Sequence, residues 1–212
     1  MNFDSLKEKH RQRRDQQEQS LSIRIHRALS WLNKAEQESD TDAKFIFLWV
    51  CFNAAYAKDM DQYDSERNRF HDFIKTLVSL DKSGKIQQLL FDEFSGVIRV
   101  LISNKYIFEP FWKALREHDS SDRWKDSFEK AKTLATKALF KKDTATVLEI
   151  IFDRLYVLRN QLIHGGATWQ SDLNRQQVRD GARMLEHLIP TILALMLEED
   201  ELDMGEIMFP VV

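Results

Sequence analysis

The sequence predicts an all-α protein, and three observations lead to that fold class. Apolar residues recur at three- and four-residue steps along most of the chain, the spacing that places side chains on one helical face. Only 6 Gly and 3 Pro occur among 212 residues, too few for the many tight turns of a β-sandwich or barrel. The longest apolar run, Phe45–Phe52, is far shorter than a membrane span, which argues against a transmembrane protein.

The chain is predicted to form one domain between charged ends. A length of 212 residues allows roughly 70% of the unfolded surface to be buried, so a sizeable core is expected. No internal repeat and no Pro/Gly/Ser-rich linker divides the sequence. We therefore predict a helical domain over 20–197, preceded by a basic lead at 1–19 that is mobile or helical and followed by an acidic tail at 198–212.

The first part of the domain shows three helical patterns. One runs from Ser20 to about Gln37 with apolar residues on one face. Asp40 or Asp42 can cap the next helix, Ala43–Ala57, which is apolar nearly all round and therefore belongs in the middle of a core. A third helix is expected from about Asp64 to Leu80.

The middle of the chain is less regular and favours short helices. They are predicted at Lys85–Phe94, Val97–Ile102 and Pro110–Arg116. Turns at Ser95-Gly96 and Ser103-Asn104 are expected to join them. The second segment also fits a short strand, and helix is the preferred interpretation.

Three longer helices complete the prediction. They extend from Asp122 to about Lys141, from Asp143 or Thr144 to His164, and from about Leu173 to Leu197. Gly165-Gly166 is the expected stop of the second, because glycine accepts the left-handed conformation without a Cβ clash. Pro190 is expected to kink the last.

Composition and motifs exclude several classes of function. The sequence contains no P-loop, dinucleotide fingerprint, HExxH, GxSxG or EF-hand loop, and no Cys/His cluster with zinc spacing, so neither a metal nor a cofactor is predicted. A net charge of −3 argues against a uniformly basic nucleic-acid wrapper, although it leaves room for a local basic cleft.

The single cysteine, Cys51, excludes an intrachain disulfide and is expected in the core. Together with the lack of a secretory signal, this predicts a cytoplasmic protein.

The segment Arg159–Gly166 places strongly polar groups at the end of an otherwise apolar helix. Six His and 15 Arg give an expected count of about 0.4 for Arg-x4-His, so that spacing alone carries little information. The context is more specific: Asn160 follows the Arg directly, and a glycine pair follows His164. At 100° per residue, Asn160 and His164 lie about 40° apart, whereas Arg159 and His164 lie about 140° apart. Either the helix frays at the glycines or a second copy completes the site, and we favour a homodimer.

This pattern resembles the HEPN superfamily, whose hallmark is R-x(4–6)-H with a polar residue commonly after the Arg. An earlier helix adds to the resemblance through Phe47, Leu48, Trp49, Phe52, Asn53, Ala54 and Tyr56. The resemblance implies a helical bundle with extra helices and a two-fold dimer. It also implies a metal-independent endoribonuclease of a prokaryotic toxin–antitoxin, abortive-infection or other defence system, with a possible cognate inhibitor. Arg159 and His164 match the catalytic pair, and Asn160 matches the polar accessory position.

The chemistry of metal-free RNA cleavage fits these residue types. The ribose 2′-OH attacks the adjacent phosphate, a proton moves at each end, and the added negative charge needs stabilisation. Imidazole titrates near neutral pH, and a guanidinium binds two phosphate oxygens while staying charged. Asn160 is expected to orient His164 or a phosphate. Trp169, in the loop after the glycines, is the best candidate for stacking on a base.

The roles of Asn53, Tyr56 and the Arg/His motif each have an alternative interpretation. Asn53 and Tyr56 either line the cleft floor and bind Arg159 or Asn160, or are satisfied polar residues of the core. The motif itself also has a structural interpretation, in which Arg159 pairs with Asp153 or Glu149 and His164 caps its helix. A non-catalytic HEPN-like module that binds RNA or protein is the second functional hypothesis. The HEPN toxins silenced by nucleotidylation carry a Tyr two residues after the His; here that residue is Gly166, which argues against such regulation.

Overall fold

The computed structural model is all-α, which confirms the predicted fold class. It describes residues 1–56, 66–172, 174–202, 204–207 and 209, and of residues 66–69 it describes the backbone alone. Ten α-helices, a π-helical turn and a 3₁₀ turn account for the regular structure of these residues, and none of them forms a β-strand. The chain divides into two compact units, one of Met1–Ser83 with Ala182–Val212 and one of Gly84–Gly181.

The first unit is built from the N-terminal helices and the last part of the C-terminal helix. Its helices are α1 (Phe3–Arg13), α2 (Gln19–Glu36), α3 (Thr41–Tyr56), α4 (Glu66–Leu80) and the later part of α10 (Arg175–Glu198). The observed bounds lie close to the predicted ones. The predicted starts at Asp64 and Leu173 and the predicted end at Ala57 lie outside the described residues.

Helix α3 forms the centre of this unit, as its uniformly apolar sequence predicts. Phe45, Trp49 and Phe52 are fully buried, and α3 packs along α2. Burying side chains of this size stabilises the fold by about 1.5–3 kcal/mol each. Asp40 caps the helix, because its Oδ1 accepts a hydrogen bond from the amide of Ala43 at 2.9 Å.

The basic N-terminal lead contains a helix. Asn2 starts α1 through a capping box with Ser5. Leu6 and His10 are buried, and α1 packs against α2. The residues between them, which include Lys7 and Lys9, keep the positive charge on the outer part of the helix.

The second unit holds the helix with the Arg/His motif. It contains α5 (Lys85–Gln88), a π turn (Leu89–Glu93), α6 (Ser95–Ser103), a 3₁₀ turn (Lys105–Ile107), α7 (Glu109–Arg116), α8 (Arg123–Lys141), α9 (Thr144–Ile163) and the start of α10. Helix α9 contacts α6, α8 and the 3₁₀ turn. It buries Leu148, Ile151, Phe152 and Leu155, so its position is fixed along most of its length.

Three local predictions for this unit need correction. The segment predicted as one helix at Lys85–Phe94 breaks into α5 and a π turn, because the amide of Phe94 bonds to the carbonyl of Leu89 at 3.0 Å. Ser95-Gly96 is the first turn of α6 instead of a connecting turn, and the strand alternative for this segment is wrong. Asp122 precedes α8 but does not cap it, since its backbone is left-handed (φ 56°) and its carboxylate binds Lys125 at 2.8 Å.

The longest helix of the described chain is α10, and it continues through Pro190. None of the helices in the described ranges combines the length and the apolar character that crossing a membrane requires. Cys51 is buried as predicted, and its Sγ donates to the carbonyl of Ala28 at 3.0 Å. Burial raises the pKa of this thiol far above its ordinary value, which makes it unreactive.

Candidate functional site

The C-terminal end of α9 positions the three residues of the predicted site. Asp143 caps the other end, where its carboxylate accepts the amide of Thr146 at 3.2 Å. The buried apolar residues of α9 end at Leu158, and the three site residues lie beyond that position. Arg159 and Asn160 are half-buried, and His164 is exposed.

Arg159 is turned toward its neighbour along the helix. Its Nη1 donates a hydrogen bond to Oδ1 of Asn160 at 2.9 Å, and its guanidinium lies 5.7 Å from the centre of the Tyr156 ring. Asn160 lies between Arg159 and His164 on the helical wheel. The hydrogen bond therefore directs the guanidinium toward the side of the helix that carries His164, while the backbone positions of the two residues remain about 140° apart.

The helix ends at the glycine pair, as the sequence predicts. The amide of His164 bonds to the carbonyl of Asn160 at 3.0 Å, and the amide of Ala167 bonds to the carbonyl of Gln161 at 3.1 Å. Gly165 has a φ of +66°, a left-handed conformation that favours glycine. This sharp stop leaves the imidazole of His164 in solvent, and no side-chain hydrogen bond joins it to a described residue.

A closed set of amide hydrogen bonds fixes the same helix end to the 3₁₀ turn. Gln161 Nε2 donates to the carbonyl of Tyr106 at 2.7 Å, and Asn174 Nδ2 donates to Oε1 of Gln161 at 2.9 Å. Asn104 Nδ2 donates to Oδ1 of Asn174 at 3.2 Å, and Asn104 Oδ1 accepts the amide of Tyr106 at 2.8 Å. Each of these polar groups is satisfied, so the network is a rigid support under the candidate site. No pattern in the sequence marks this network.

Arg154, one turn and a half before Arg159, also holds the 3₁₀ turn. It is buried, its Nη1 donates to the carbonyl of Ile107 at 3.3 Å, and its guanidinium lies 4.4 Å from the Phe108 ring centre. The two arginines of α9 therefore have different surroundings. Arg154 is buried and packs within the unit, whereas Arg159 is half-buried near the C-terminal end of the helix.

Two large apolar side chains close to His164 in the sequence are exposed. Ile163 is 44% exposed and Trp169 is 72% exposed. Exposed apolar groups of this size beside a polar site are typical of a surface that binds a partner or a ligand. The exposure of Trp169 is what stacking on a base requires.

Asn53 and Tyr56 lie on α3, in the first unit. The hydroxyl of Tyr56 donates to Oδ1 of Asn53 at 2.9 Å. Tyr56 is buried, with its ring centre 4.9 Å from that of Phe52 and 5.9 Å from that of Phe73. The structure therefore brings these two residues together as a hydrogen-bonded pair at the edge of an aromatic core.

The charge is unevenly distributed between the two units. Gly84–Gly181 has 16 Lys and Arg against 13 Asp and Glu, a net charge of +3, and the rest of the chain has 15 against 21, a net charge of −6. The net charge of −3 for the whole chain is therefore the sum of an acidic unit and a basic unit, and the basic unit contains Arg159 and His164. Among the described residues, no group of three His, Cys, Asp or Glu side chains is arranged to hold a metal ion.

Comparisons with protein-family models, with curated proteins and with solved structures find no match for this chain.

Proposed function

We propose that the chain is a HEPN-type, metal-independent endoribonuclease that acts as a homodimer in the cytoplasm. The observation that carries the proposal is the Arg159–Asn160 hydrogen bond at a helix end that also exposes His164. This hydrogen bond joins the guanidinium to Asn160, which lies on the same side of the helix as the proton carrier His164. The net charge of +3 on the same unit supports a polyanionic substrate.

The proposed reaction uses each residue for one task. One His164 accepts the proton of the ribose 2′-OH, and the oxygen attacks the adjacent phosphorus. The bond to the 5′-oxygen breaks, and an imidazolium from the second copy protonates the leaving oxygen. Arg159 stabilises the non-bridging oxygens, whose negative charge increases in the transition state. The products are a 2′,3′-cyclic phosphate and a 5′-hydroxyl.

Asn160 acts through Arg159. Its Oδ1 accepts the guanidinium hydrogen bond and restricts the arginine to one rotamer. Its Nδ2 donates no hydrogen bond to a described residue, so this group is available to a phosphate oxygen. Asn160 is accordingly a positioning residue with one donor left for substrate.

Two copies of the chain are needed for the complete site. A single exposed imidazole supplies either the base or the acid in a given step, whereas two His164 side chains across a two-fold axis supply both. Ile163 and Trp169, which are close to His164 in the sequence, offer apolar surface for that interface. A role in toxin–antitoxin or other prokaryotic defence, with a cognate inhibitor protein, follows from the resemblance and belongs to the same proposal.

The chemical identity of the product ends tests the proposal. Purified protein is incubated with a single-stranded RNA in EDTA, and the fragments are analysed by mass spectrometry. We expect 2′,3′-cyclic phosphate and 5′-hydroxyl ends, because the 2′-OH is the nucleophile. Cleavage that EDTA abolishes and Mg²⁺ restores, or fragments with 5′-phosphate ends, would contradict the mechanism.

One observation favours a non-catalytic binding module as the second candidate. No described residue orients the imidazole of His164, and an undirected imidazole is a poor general base. This candidate predicts RNA or protein binding with no cleavage and no effect of His164→Ala on affinity.

A further inference from the structure

A groove in the unit Gly84–Gly181 has the chemistry of a nucleic-acid binding surface. It lies between the end of α6, the 3₁₀ turn and the first turn of α10, and it opens to solvent. Its volume of about 660 Å³ falls within the roughly 300–1,000 Å³ of known ligand sites. The polar side chains that line it come from Arg99, Ser103, Asn104, Lys105, Tyr106 and Gln177.

Two positive charges face this groove. Within the described residues, neither Arg99 nor Lys105 forms an ion pair, and no Asp or Glu lines the groove. The ammonium of Lys105 lies 5.1 Å from the Tyr106 ring centre and 5.5 Å from that of Phe111. Contact with two rings holds the ammonium in place without neutralising it, so both cations remain available to an anion.

Tyr106 supplies an aromatic surface beside these cations. Its side chain is 38% exposed, and its ring packs edge-to-face on Phe111 with the centres 5.5 Å apart. Its carbonyl accepts a hydrogen bond from Trp112 Nε1 at 2.8 Å. The ring is therefore held in one position with part of its surface in solvent, which suits stacking on a base.

The groove is rigidly connected to the candidate site. The backbone of Tyr106 is bound by Gln161 and Asn104, in the amide network described above. Gln161 and His164 are three residues apart on α9 and are neighbours on its surface. We therefore expect an RNA strand bound at His164 to extend into the groove within the same unit.

We infer that this groove binds the single-stranded RNA that flanks the cleaved phosphate. Backbone phosphates contact Arg99 and Lys105, one base stacks on Tyr106, and the Gln177 amide contacts a base edge. The inference rests on the proposed ribonuclease function. An acidic protein segment would use the two cations but has no need of an exposed ring in the same groove, which favours nucleic acid.

RNA affinity tests the inference in a His164→Ala background, where the strand stays intact. Fluorescence anisotropy with a labelled 12-nucleotide single-stranded RNA compares three groove variants: Arg99→Gln with Lys105→Gln, Tyr106→Ala, and Tyr106→Phe. Lys137→Gln, an exposed charge on α8, is the matched control. A labelled polyglutamate peptide is titrated in parallel, and melting temperatures confirm that each variant is folded.

The expected results follow from the contacts. The double variant loses at least about 10-fold in affinity, and the salt dependence flattens by about 1.4 in log–log slope, the value for two phosphate contacts on a single strand. Tyr106→Ala loses about 5-fold or more, whereas Tyr106→Phe and Lys137→Gln bind like the parent. If Tyr106→Ala fails to fold, the charge variant and its salt slope carry the test.

The outcomes separate this inference from the proposed function. RNA cleavage by the wild type, with unchanged RNA affinity in the groove variants, would overturn the groove alone. Groove-dependent binding without cleavage would support the groove and contradict the ribonuclease. Polyglutamate binding that needs Arg99 and Lys105, with RNA affinity unaffected, would assign the groove to an acidic protein and overturn the inference.

Discussion

The hydrogen bond between Arg159 and Asn160 is the contact on which the site depends. It joins two adjacent residues of a helix, whose side chains would otherwise diverge by 100°, into one polar group that we propose binds the phosphate. Adjacent residues on a helix do not normally face each other, so the arginine must reach sideways to form this bond.

Asn160→Ala should lower RNA cleavage by roughly 2- to 10-fold. The variant removes one hydrogen bond, which contributes about 0.5–1.5 kcal/mol, and leaves the guanidinium and the imidazole in place. Single-turnover cleavage rates compare it with Asn160→Asp, whose carboxylate keeps the hydrogen bond but repels the phosphate. An Asn160→Ala rate equal to that of the wild type would remove this residue from the site.

Gly165→Ala should destabilise the protein by about 1–2 kcal/mol. The φ of +66° is costly for a residue with a Cβ, even though nothing lies within 4 Å of the added methyl group. Gly96→Ala is the matched control, because Gly96 is helical with equally open surroundings. That substitution should stabilise the protein by about 0.4–1 kcal/mol. Urea unfolding measures both, and equal effects of the same sign would show that the left-handed turn is absent.

Helix α1 contains a buried histidine, His10, which is expected to make the stability of the protein depend on pH. Burial lowers the pKa of His10 below its ordinary value, and the nearby Lys7 lowers it further. His10 Nε2 also lies 3.1 Å from the hydroxyl of Ser22 on α2. The folded protein thus favours the neutral ring, whereas the unfolded chain binds a proton with the ordinary pKa of about 6.5.

His10→Gln should therefore weaken the acid sensitivity of the melting temperature. In the wild type, the contribution of His10 is complete above about pH 6.5 and is lost as the pH falls through its lowered folded pKa. Thermal melts between pH 7.5 and 5 measure the slope, with the exposed His118→Asn as the control. Identical slopes in His10→Gln and the wild type would contradict the assignment. His26, whose pKa burial also lowers, contributes in the same direction and remains in both proteins.

The helices were predictable from the sequence because their determinants are local. Apolar periodicity and the caps at Asp40 and Asp143 placed α2, α3 and α9 within about two residues of their observed ends. The break at Leu89–Glu93 was not predictable, because no sequence signal marks a π turn. The turn accompanies the burial of Leu90 and Phe94, which depends on the tertiary fold.

The candidate site was predictable only in part, for the same reason. Arg159, Asn160 and His164 form a short motif that a linear pattern can contain. The support beneath them joins Asn104 to Asn174, which are 70 residues apart, and the amides of Gln and Asn carry no signal of their partner. Groove residues such as Arg99 and Lys105 look like any surface cations in the sequence, and only the fold places them in one groove with Tyr106.

The whole molecule is proposed to work as a dimer, and mixed dimers test this directly. When His164→Ala protein is mixed with the wild type and the subunits exchange, cleavage should fall with the square of the wild-type fraction, because a mixed dimer has one imidazole and lacks either the base or the acid. Sedimentation equilibrium at micromolar concentration establishes the dimer first. A strict monomer, or cleavage that falls in direct proportion to the wild-type fraction, would contradict the composite site.

The central claim is that Arg159 and His164 cleave RNA without a metal, and single-turnover cleavage of single-stranded RNA in EDTA tests it most directly. The wild type and the control His118→Asn should cleave at the same rate, and Arg159→Ala and His164→Ala should each be at least about 10²-fold slower. The melting temperature of His164→Ala should stay nearly unchanged, because its imidazole is exposed. Full activity in either alanine variant, or activity loss explained by unfolding, would contradict the account.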